Sequence, residues 1–238
     1  MKPLPNNAKI LVGFTVLSAL VVFGNALRSW GQPHDYPKFL AYLAVAVVAT
    51  RFKISLPRMT SSMSVNLPFI LVALIELSLP EGLIVAAVST FAQSFWLESK
   101  KRNLTQVAFN VSVLVLAAQS GWLMLRHGFH NPALVVVSAT LTILVANTMP
   151  VAMIIALTEA GKALKIWTQI VNLTFPYYSL TAGIAGLVKL AAYEVGWQAP
   201  LLILPAMFLV YRSYVAYFKN MAQPEASQPL ALAKAAAS

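Results

Sequence analysis

The sequence predicts an all-α fold, a polytopic transmembrane helical bundle of about eight spans with both termini in the cytoplasm. The chain of 238 residues is 59% hydrophobic and 10% charged, whereas an ordinary soluble domain carries roughly a quarter charged residues. Apolar segments recur along the whole length, and each is long enough to cross a hydrocarbon core of about 30 Å. Basic residues concentrate in every second connection between these segments, as is typical of cytoplasmic loops.

Eight apolar segments are predicted to cross the membrane. The second is the weakest prediction, because its clean apolar core, Phe39 to Thr50, is only twelve residues long and could be tilted, re-entrant or shielded by neighbours. No stretch is left over for a separate soluble domain. The predicted spans are residues 10–27, 36–50, 60–79, 82–97, 104–125, 132–157, 167–188 and 197–218.

The distribution of positive charge predicts the orientation. With the N-terminus inside, the cytoplasmic segments hold thirteen of the 17 Lys and Arg residues. The outer segments hold the other four, which are Arg28, Lys38, Arg126 and Lys189. This bias follows the positive-inside rule, and all five tryptophans fall at predicted ends of spans, where amphipathic rings prefer the headgroup level. We therefore expect a multi-pass protein of the inner (plasma) membrane.

The two ends of the chain differ in composition and in their predicted roles. Lys2 and Lys9 precede an apolar run from Ile10 to Leu27, so a cleaved signal peptide is an alternative to a retained anchor. We favour the anchor because the run is long for a signal peptide; cleavage after Ala26 would leave seven spans. Residues 221–238 are rich in Ala and Pro and are predicted to form a flexible cytoplasmic tail after a single membrane domain of residues 1–220.

Polar side chains inside apolar spans are costly unless partnered, so they mark candidate functional positions. An Asn lies near the cytoplasmic start of three spans that run in the same direction, and the sixth and seventh spans contain Pro150 and Pro176, which are expected to kink them. The candidate ligand-binding residues are Asn66, Gln106, Asn110, Asn147, Asn172, Tyr177 and Tyr178. The alternative is that these residues only join helices, with about 0.6 to 2 kcal/mol per contact.

Glu76 is the one carboxylate well inside a predicted span, toward its outer end. Lys189 lies at the outer end of the seventh span, so an ion pair between the two would lower the cost of both charges. The alternatives are proton or cation coupling at Glu76, or a carboxylate that reaches the outer headgroups.

Small residues indicate candidate packing faces. Ala117 with Gly121, and Ala182 with Gly186, match the small-xxx-small spacing that lets two membrane helices approach closely. Each pair is therefore expected to face a neighbouring helix.

No catalytic, metal or cofactor site is predicted. The chain has no cysteine, and it lacks a nucleophile elbow, a P-loop and a dinucleotide fingerprint. Loop residues His34, Asp35, His127 and His130 could meet around a metal, but no HExxH context supports such a site. The net charge of +10 fits membrane topology better than nucleic-acid binding. An enzyme is the least favoured function.

Short motifs are spread over residues 50 to 218. They are Leu56-Pro57, Ser62-Met63-Ser64-Val65, Glu76-Leu77-Ser78-Leu79-Pro80-Glu81, Gln106-Val107-Ala108-Phe109-Asn110, Asn147-Thr148-Met149-Pro150-Val151-Ala152 and Phe175-Pro176-Tyr177-Tyr178. Together they resemble a bacterial MASE-like membrane-associated sensor region, of the kind found ahead of diguanylate cyclase or HD-GYP output domains. The resemblance implies an input module whose last helix continues into the cytoplasm, as the segment from Tyr211 to Lys219 would.

The sequence contains no output domain, so the chain is expected to be a stand-alone relative, a truncated chain or a subunit that acts through a separate partner. The leading hypothesis is a membrane-embedded sensory or ligand-binding module that passes a signal to the cytoplasmic side. Its expected partners are the lipid bilayer, a small-molecule or lipid ligand, and a cytoplasmic or membrane protein. A small-solute transporter or its substrate-binding subunit is the first alternative, and a structural subunit of a membrane complex is the second.

Overall fold

The computed structural model describes residues 4–30, 35–55, 62–95, 104–159, 161–196 and 207–216, together with residues 198, 203 and 205. These residues form a helical protein with one short two-stranded ribbon. Residues 203, 205 and 207–216 are helical, and the stretch 207–216 is called α8 here. The other elements are α1 (Asn6–Arg28), α2 (Tyr36–Ala49), β1 (Lys53–Ser55), β2 (Ser62–Ser64), α3 (Leu67–Glu76), α4 (Leu79–Phe95), α5 (Leu104–His127), α6 (Pro132–Glu159) and α7 (Ala163–Val195).

Three helices, α1, α5 and α6, are long and apolar enough to cross a membrane, judged by length and composition. The helices α2 and α3 are apolar but shorter. A helix lies within each of the eight predicted spans, and α6 and α7 continue through Pro150 and Pro176. The predicted tail, residues 221–238, lies outside the described residues.

The third predicted span is where the sequence-based prediction was wrong. Residues 60–79 were expected to form one helix, but residues 62–64 form β2, which pairs antiparallel with β1, and helix α3 has only 10 residues. The ladder continues one step further, since the Val65 N–H donates to the Phe52 carbonyl at 3.1 Å. Local preferences allow this start, because serine favours caps and turns over helix interiors and Pro68 fits the first turn of a helix.

Helix α3 is the centre of the molecule. It contacts α2, α4, α5 and α7, and every residue from Val65 to Leu74 is buried. A helix that is apolar on all sides is stable where protein or lipid covers it, and here the neighbouring helices cover α3. At about 1.5 Å per residue, its ten residues extend about 15 Å, which is half of a hydrocarbon core. The buried N-terminal end of α3 needs partners within the protein, whereas Ile75 and Glu76 at the other end are partly exposed.

A tight turn joins α3 to α4. The Glu81 carboxylate accepts hydrogen bonds from the Ser78 backbone N–H at 2.9 Å and the Ser78 hydroxyl at 2.6 Å, as the glutamate of a capping box does. A Cβ atom on Gly82 would lie 2.7 Å from a terminal carbon of Leu74. The turn therefore brings α3 and α4 into close contact.

One of the two small-residue faces packs as expected. A Cβ atom on Gly121 would lie 2.5 Å from the Ile143 side chain, so α5 and α6 approach closely at this point. The second expectation is not met among the described residues, because none of their atoms would lie within 4 Å of a Cβ atom on Gly186. By contrast, α1 lies at the periphery and exposes an apolar stripe of Ile10, Phe14, Leu17 and Val21, the pattern of a surface that faces lipid.

Candidate functional site

Four interhelical hydrogen bonds, together called the polar network here, lie between α3, α4, α6 and α7. Two of its members, Asn66 and Ser89, are buried and joined by a bond from the Asn66 Nδ2 to the Ser89 Oγ at 3.2 Å. Asn66 does not cap α3 with its side chain, so its amide is used to hold α4 instead. The members of the network are Asn66, Ser89, Asn147, Thr148, Trp167, Tyr177 and Tyr178.

The network begins at the N-terminus of α3. The first N–H groups of any helix lack intrahelical partners, and burial makes an unpaired one costly. Here the Leu67 N–H donates to the Tyr177 hydroxyl at 3.2 Å, Pro68 has no N–H, and the Phe69 N–H donates to the Asn66 carbonyl. The same carbonyl accepts the first regular helical bond from the Ile70 N–H. The Leu67 N–H therefore depends on a side chain from α7.

Two adjacent tyrosines connect α7 to different helices. Tyr177 reaches α3, whereas the Tyr178 hydroxyl accepts a hydrogen bond from the Asn147 Nδ2 of α6 at 2.9 Å. Neighbours on a helix point about 100° apart, which allows this division. The two rings meet edge to face, with centroids 5.9 Å apart at 80°, and both residues are buried. The tyrosine pair therefore fixes α7 against both α3 and α6 at the same height along the α7 axis.

A further bond joins α6 and α7 closer to the start of α7. The Trp167 Nε1 donates to the Thr148 hydroxyl at 3.0 Å, and that hydroxyl donates in turn to the Leu144 carbonyl at 2.6 Å. Trp167 was expected at the membrane interface, and its hydrogen bond to a buried threonine was not predicted. Ser89 was also missed, although a serine in an apolar run is a recognisable signal.

The structure brings together four of the seven candidate ligand-binding residues, namely Asn66, Asn147, Tyr177 and Tyr178. The other three, Gln106, Asn110 and Asn172, are exposed and lie outside this cluster. Distance from the helix start sets how deep a residue lies, but the rotation about the helix axis decides which way it points. The position of an Asn near the start of a span therefore predicts only its depth.

A charged pair lies at the opposite end of α3. The Lys38 Nζ of α2 lies 3.1 Å from the Glu76 Oε2 and 3.2 Å from the Glu76 carbonyl oxygen. About a fifth of each side chain is exposed. A cation next to the last carbonyl groups of a helix also interacts favourably with the helix dipole. Lys38 thus satisfies both the carboxylate and the C-terminal end of α3.

The ion pair of Glu76 therefore forms with Lys38, and the predicted pair with Lys189 is not the one that forms. The positive-inside rule places both lysines at the outer side, and it does not choose between them. Asp35, considered for a metal site, caps α2 by accepting the Lys38 backbone N–H at 3.1 Å. His130 is exposed, and His34 lies outside the described residues. Among the residues that are described, no three metal-ligating side chains come together.

The chemistry of the two sites differs. The polar network consists of amide, hydroxyl and indole groups, which exchange hydrogen bonds but carry no charge. Such a network suits recognition of a neutral polar group, or a shift between two bonding arrangements, in a medium of low dielectric constant. The Lys38–Glu76 pair instead carries two opposite charges, and each lowers the free-energy cost of burying the other.

Removing one partner of the charged pair should destabilise the protein. Lys38→Met and Glu76→Gln should each lower the free energy of unfolding by about 1 to 3 kcal/mol, because one charge loses its partner in a partly buried place. The double substitution Lys38→Met with Glu76→Leu should recover part of this loss, since no charge is left behind.

The matched control is Lys189→Met, which should change the free energy of unfolding by less than about 0.5 kcal/mol. Denaturant titration of the purified variants in detergent provides the measurement. A loss for Lys189→Met as large as that for Lys38→Met would contradict the pairing described here.

Comparison with known proteins found no matching family model and no significant match to a curated protein or a solved structure.

Proposed function

We propose that the protein is a membrane-embedded sensory or ligand-binding module that passes a signal to the cytoplasmic side. One observation carries the proposal: adjacent tyrosines of α7 hold two different helices, with Tyr177 on the buried N-terminus of α3 and Tyr178 on Asn147 of α6. A ligand that competes for either hydroxyl would change the packing of α7 against both neighbours. A ligand can shift such an equilibrium only by binding one arrangement better than the other.

The proposed ligand is an apolar molecule or lipid that offers a hydrogen-bond acceptor, such as a carbonyl or ester oxygen. The Tyr178 hydroxyl accepts from Asn147, and within the described part of the chain its own O–H donates to no other residue. A phenol that acts as an acceptor retains one proton to donate. The buried apolar core around the tyrosine pair fits the remainder of such a ligand.

The proposed route of the signal runs from α7 to α8. Tyr214 of α8 packs against the same hydrophobic core as the tyrosine pair. Phe52, which follows α2, stacks on Phe208 and Tyr211 of α8 with ring centroids 5.5 Å away in each case. A change at the tyrosine pair would alter the packing of α8 against the core. This helix would lead toward a cytoplasmic partner. The MASE-like resemblance supports the same direction of signalling.

The proposed topology has eight crossings with both termini in the cytoplasm. The thirteen-to-four division of Lys and Arg supports it. So does the position of a helix in each predicted span. The short helices α2 and α3 would cross with help from the ribbon, whose backbone groups pair with each other as membrane depth requires.

A transporter is the second candidate, and helix α3 favours it. Half-helices that begin inside the protein form substrate sites in many secondary transporters. Helix α3 begins at a buried turn and ends at the partly exposed Lys38–Glu76 pair. In this alternative Glu76 would carry the coupled proton or contact the solute.

The substitution Tyr178→Phe tests the sensory proposal. Native mass spectrometry of the gently extracted protein should show a small-molecule or lipid adduct on the wild type. Loss of one hydrogen bond, worth about 1 to 1.5 kcal/mol, should reduce its occupancy about five- to tenfold in the variant. The exposed Tyr36 provides the matched control, Tyr36→Phe, which should retain the adduct. A wild type without any adduct, or an unchanged adduct in Tyr178→Phe, would count against the proposal.

Proton flux separates the two candidates. Reconstituted protein should not acidify pyranine-loaded vesicles under an imposed proton gradient if it is a sensor. Flux that disappears in Glu76→Gln but persists in Tyr178→Phe would favour the transporter.

The absence of cysteine makes the topology directly testable. His130 and Lys162 are exposed in the connections before and after α6. In intact cells, a membrane-impermeant maleimide should label His130→Cys. It should label Lys162→Cys only after permeabilisation, because the two connections lie on opposite faces. Labelling of both positions, or of Lys162→Cys alone, would overturn the proposed orientation.

A further inference from the structure

Two buried polar atoms near the C-terminal end of α5 have no hydrogen-bond partner among the residues that the structure describes. They are the side-chain oxygen Oε1 of Gln119 and the indole Nε1 of Trp122. Buried polar groups in proteins are nearly always paired, so each exception needs an explanation. Residues three apart on a helix are neighbours on one face, about 4.5 Å apart along the axis. Both atoms therefore belong to one face of α5.

This face becomes exposed toward the end of the helix. Leu123 and Arg126 continue the i, i+4, i+7 spacing that starts at Gln119. Gln119 and Trp122 are partly buried, whereas Leu123 is 41% exposed and Arg126 is exposed. Helix α5 is also long and apolar enough to cross a membrane. A molecule in the surrounding bilayer therefore has a route along Leu123 to the two buried atoms.

The indole ring of Trp122 is held on two sides. It packs against the hydrophobic core, and the Arg126 Cζ lies over the ring at 5.4 Å from its centroid. A guanidinium in this position is attracted by the electron density of the ring face. Arg126 is thus engaged with the ring, and the polar chemistry of the site is that of Gln119 and Trp122.

The two buried atoms have complementary needs. An indole N–H can only donate a hydrogen bond, and an amide oxygen can only accept one. A hydroxyl group meets both needs at once, because it accepts from the Trp122 Nε1 and donates to the Gln119 Oε1. An ester or phosphate oxygen could serve only Trp122, and an ammonium could serve only Gln119. The pair therefore favours a hydroxyl over the other polar groups that lipids carry.

We propose that this face of α5 binds the free hydroxyl group of a neutral glyceride lipid, such as a diacylglycerol, with an acyl chain along Leu123. Gln119 lies about 10 Å along the helix axis from Arg126, and Arg126 lies in the last turn of α5. This depth is below the headgroup level, which favours a lipid without a phosphate. The inference rests on the membrane placement of α5 and not on the sensory proposal, since α5 contributes no residue to the polar network.

The NMR signal of the Trp122 indole N–H tests the proposal, in isotope-labelled protein in phosphatidylcholine nanodiscs. Trp122→Phe assigns the signal. The probes are dioctanoylglycerol and its methyl ether, which retains every acceptor oxygen but lacks the O–H donor. Dioctanoylglycerol should shift the signal and bind about five- to tenfold more tightly than the ether, the effect of one hydrogen bond.

Gln119→Leu should remove this preference. The indole N–H that remains can donate to a hydroxyl or to an ether oxygen alike, so the two probes should bind equally. The ratio is measured within one variant, so a change in overall stability does not alter it. Gln106→Leu is the matched control, because it replaces an exposed glutamine of the same helix and should keep the preference.

Equal binding of the two probes to the wild type would overturn the proposal, as would a preference that survives in Gln119→Leu. A Trp122 signal that neither probe shifts would also overturn it, because the two atoms would then be satisfied by each other or by water. Phosphatidylglycerol in the same nanodiscs tests the source of the hydroxyl. A shift as large as that with dioctanoylglycerol would assign the hydroxyl to a headgroup and overturn the choice of a neutral lipid.

Discussion

The structure depends on the hydrogen bond between the Leu67 N–H and the Tyr177 hydroxyl. Helix α3 starts inside the molecule, where burial shields its first N–H groups from solvent, and a buried donor without a partner costs about 1 to 3 kcal/mol. The Asn66 carbonyl accepts from the Phe69 N–H, and Pro68 has no N–H. The Leu67 N–H has its partner on a neighbouring element, because α7 provides the hydroxyl.

The opposite end of α3 obeys the same constraint. The last carbonyl groups of a helix also need partners, and Lys38 of α2 donates to the Glu76 carbonyl as well as to its carboxylate. Helix α3 is thus held at one end by a phenol from α7 and at the other by an ammonium from α2. Only about 15 Å separate these two ends. Any movement of α3 must therefore change a hydrogen bond at one end or the other.

Composition and periodicity predicted the helical fold and the approximate position of each helix, because those depend on apolar content and segment length. They did not predict the ribbon at residues 53–55 and 62–64, since a run such as Ser62-Met63-Ser64-Val65 suits either a strand or the start of a span. Pairing between Phe52 and Val65 decides the matter, and pairing is a tertiary property.

The candidate site was predictable only in part, for a geometric reason. Tyr177 and Tyr178 stood out because they follow Pro176 in an apolar span, and both lie in the network. Asn110 and Asn172 looked equivalent to Asn66 but point outward. Lys38 and Lys189 looked equally able to pair with Glu76, and only the packing of α2 against α3 selects Lys38. Sequence spacing gives depth along a helix, whereas the partner depends on how the helices are arranged around it.

Hydrogen–deuterium exchange of the Tyr177→Phe variant in lipid nanodiscs tests the central claim most directly. Loss of the hydroxyl leaves the Leu67 N–H without its partner, so amides in residues 65–74 should exchange about five- to a hundredfold faster. Exchange in α1, which packs mainly against α5, should stay unchanged as the internal reference. Unchanged protection of residues 65–74 would contradict the claim that Tyr177 holds the buried end of α3.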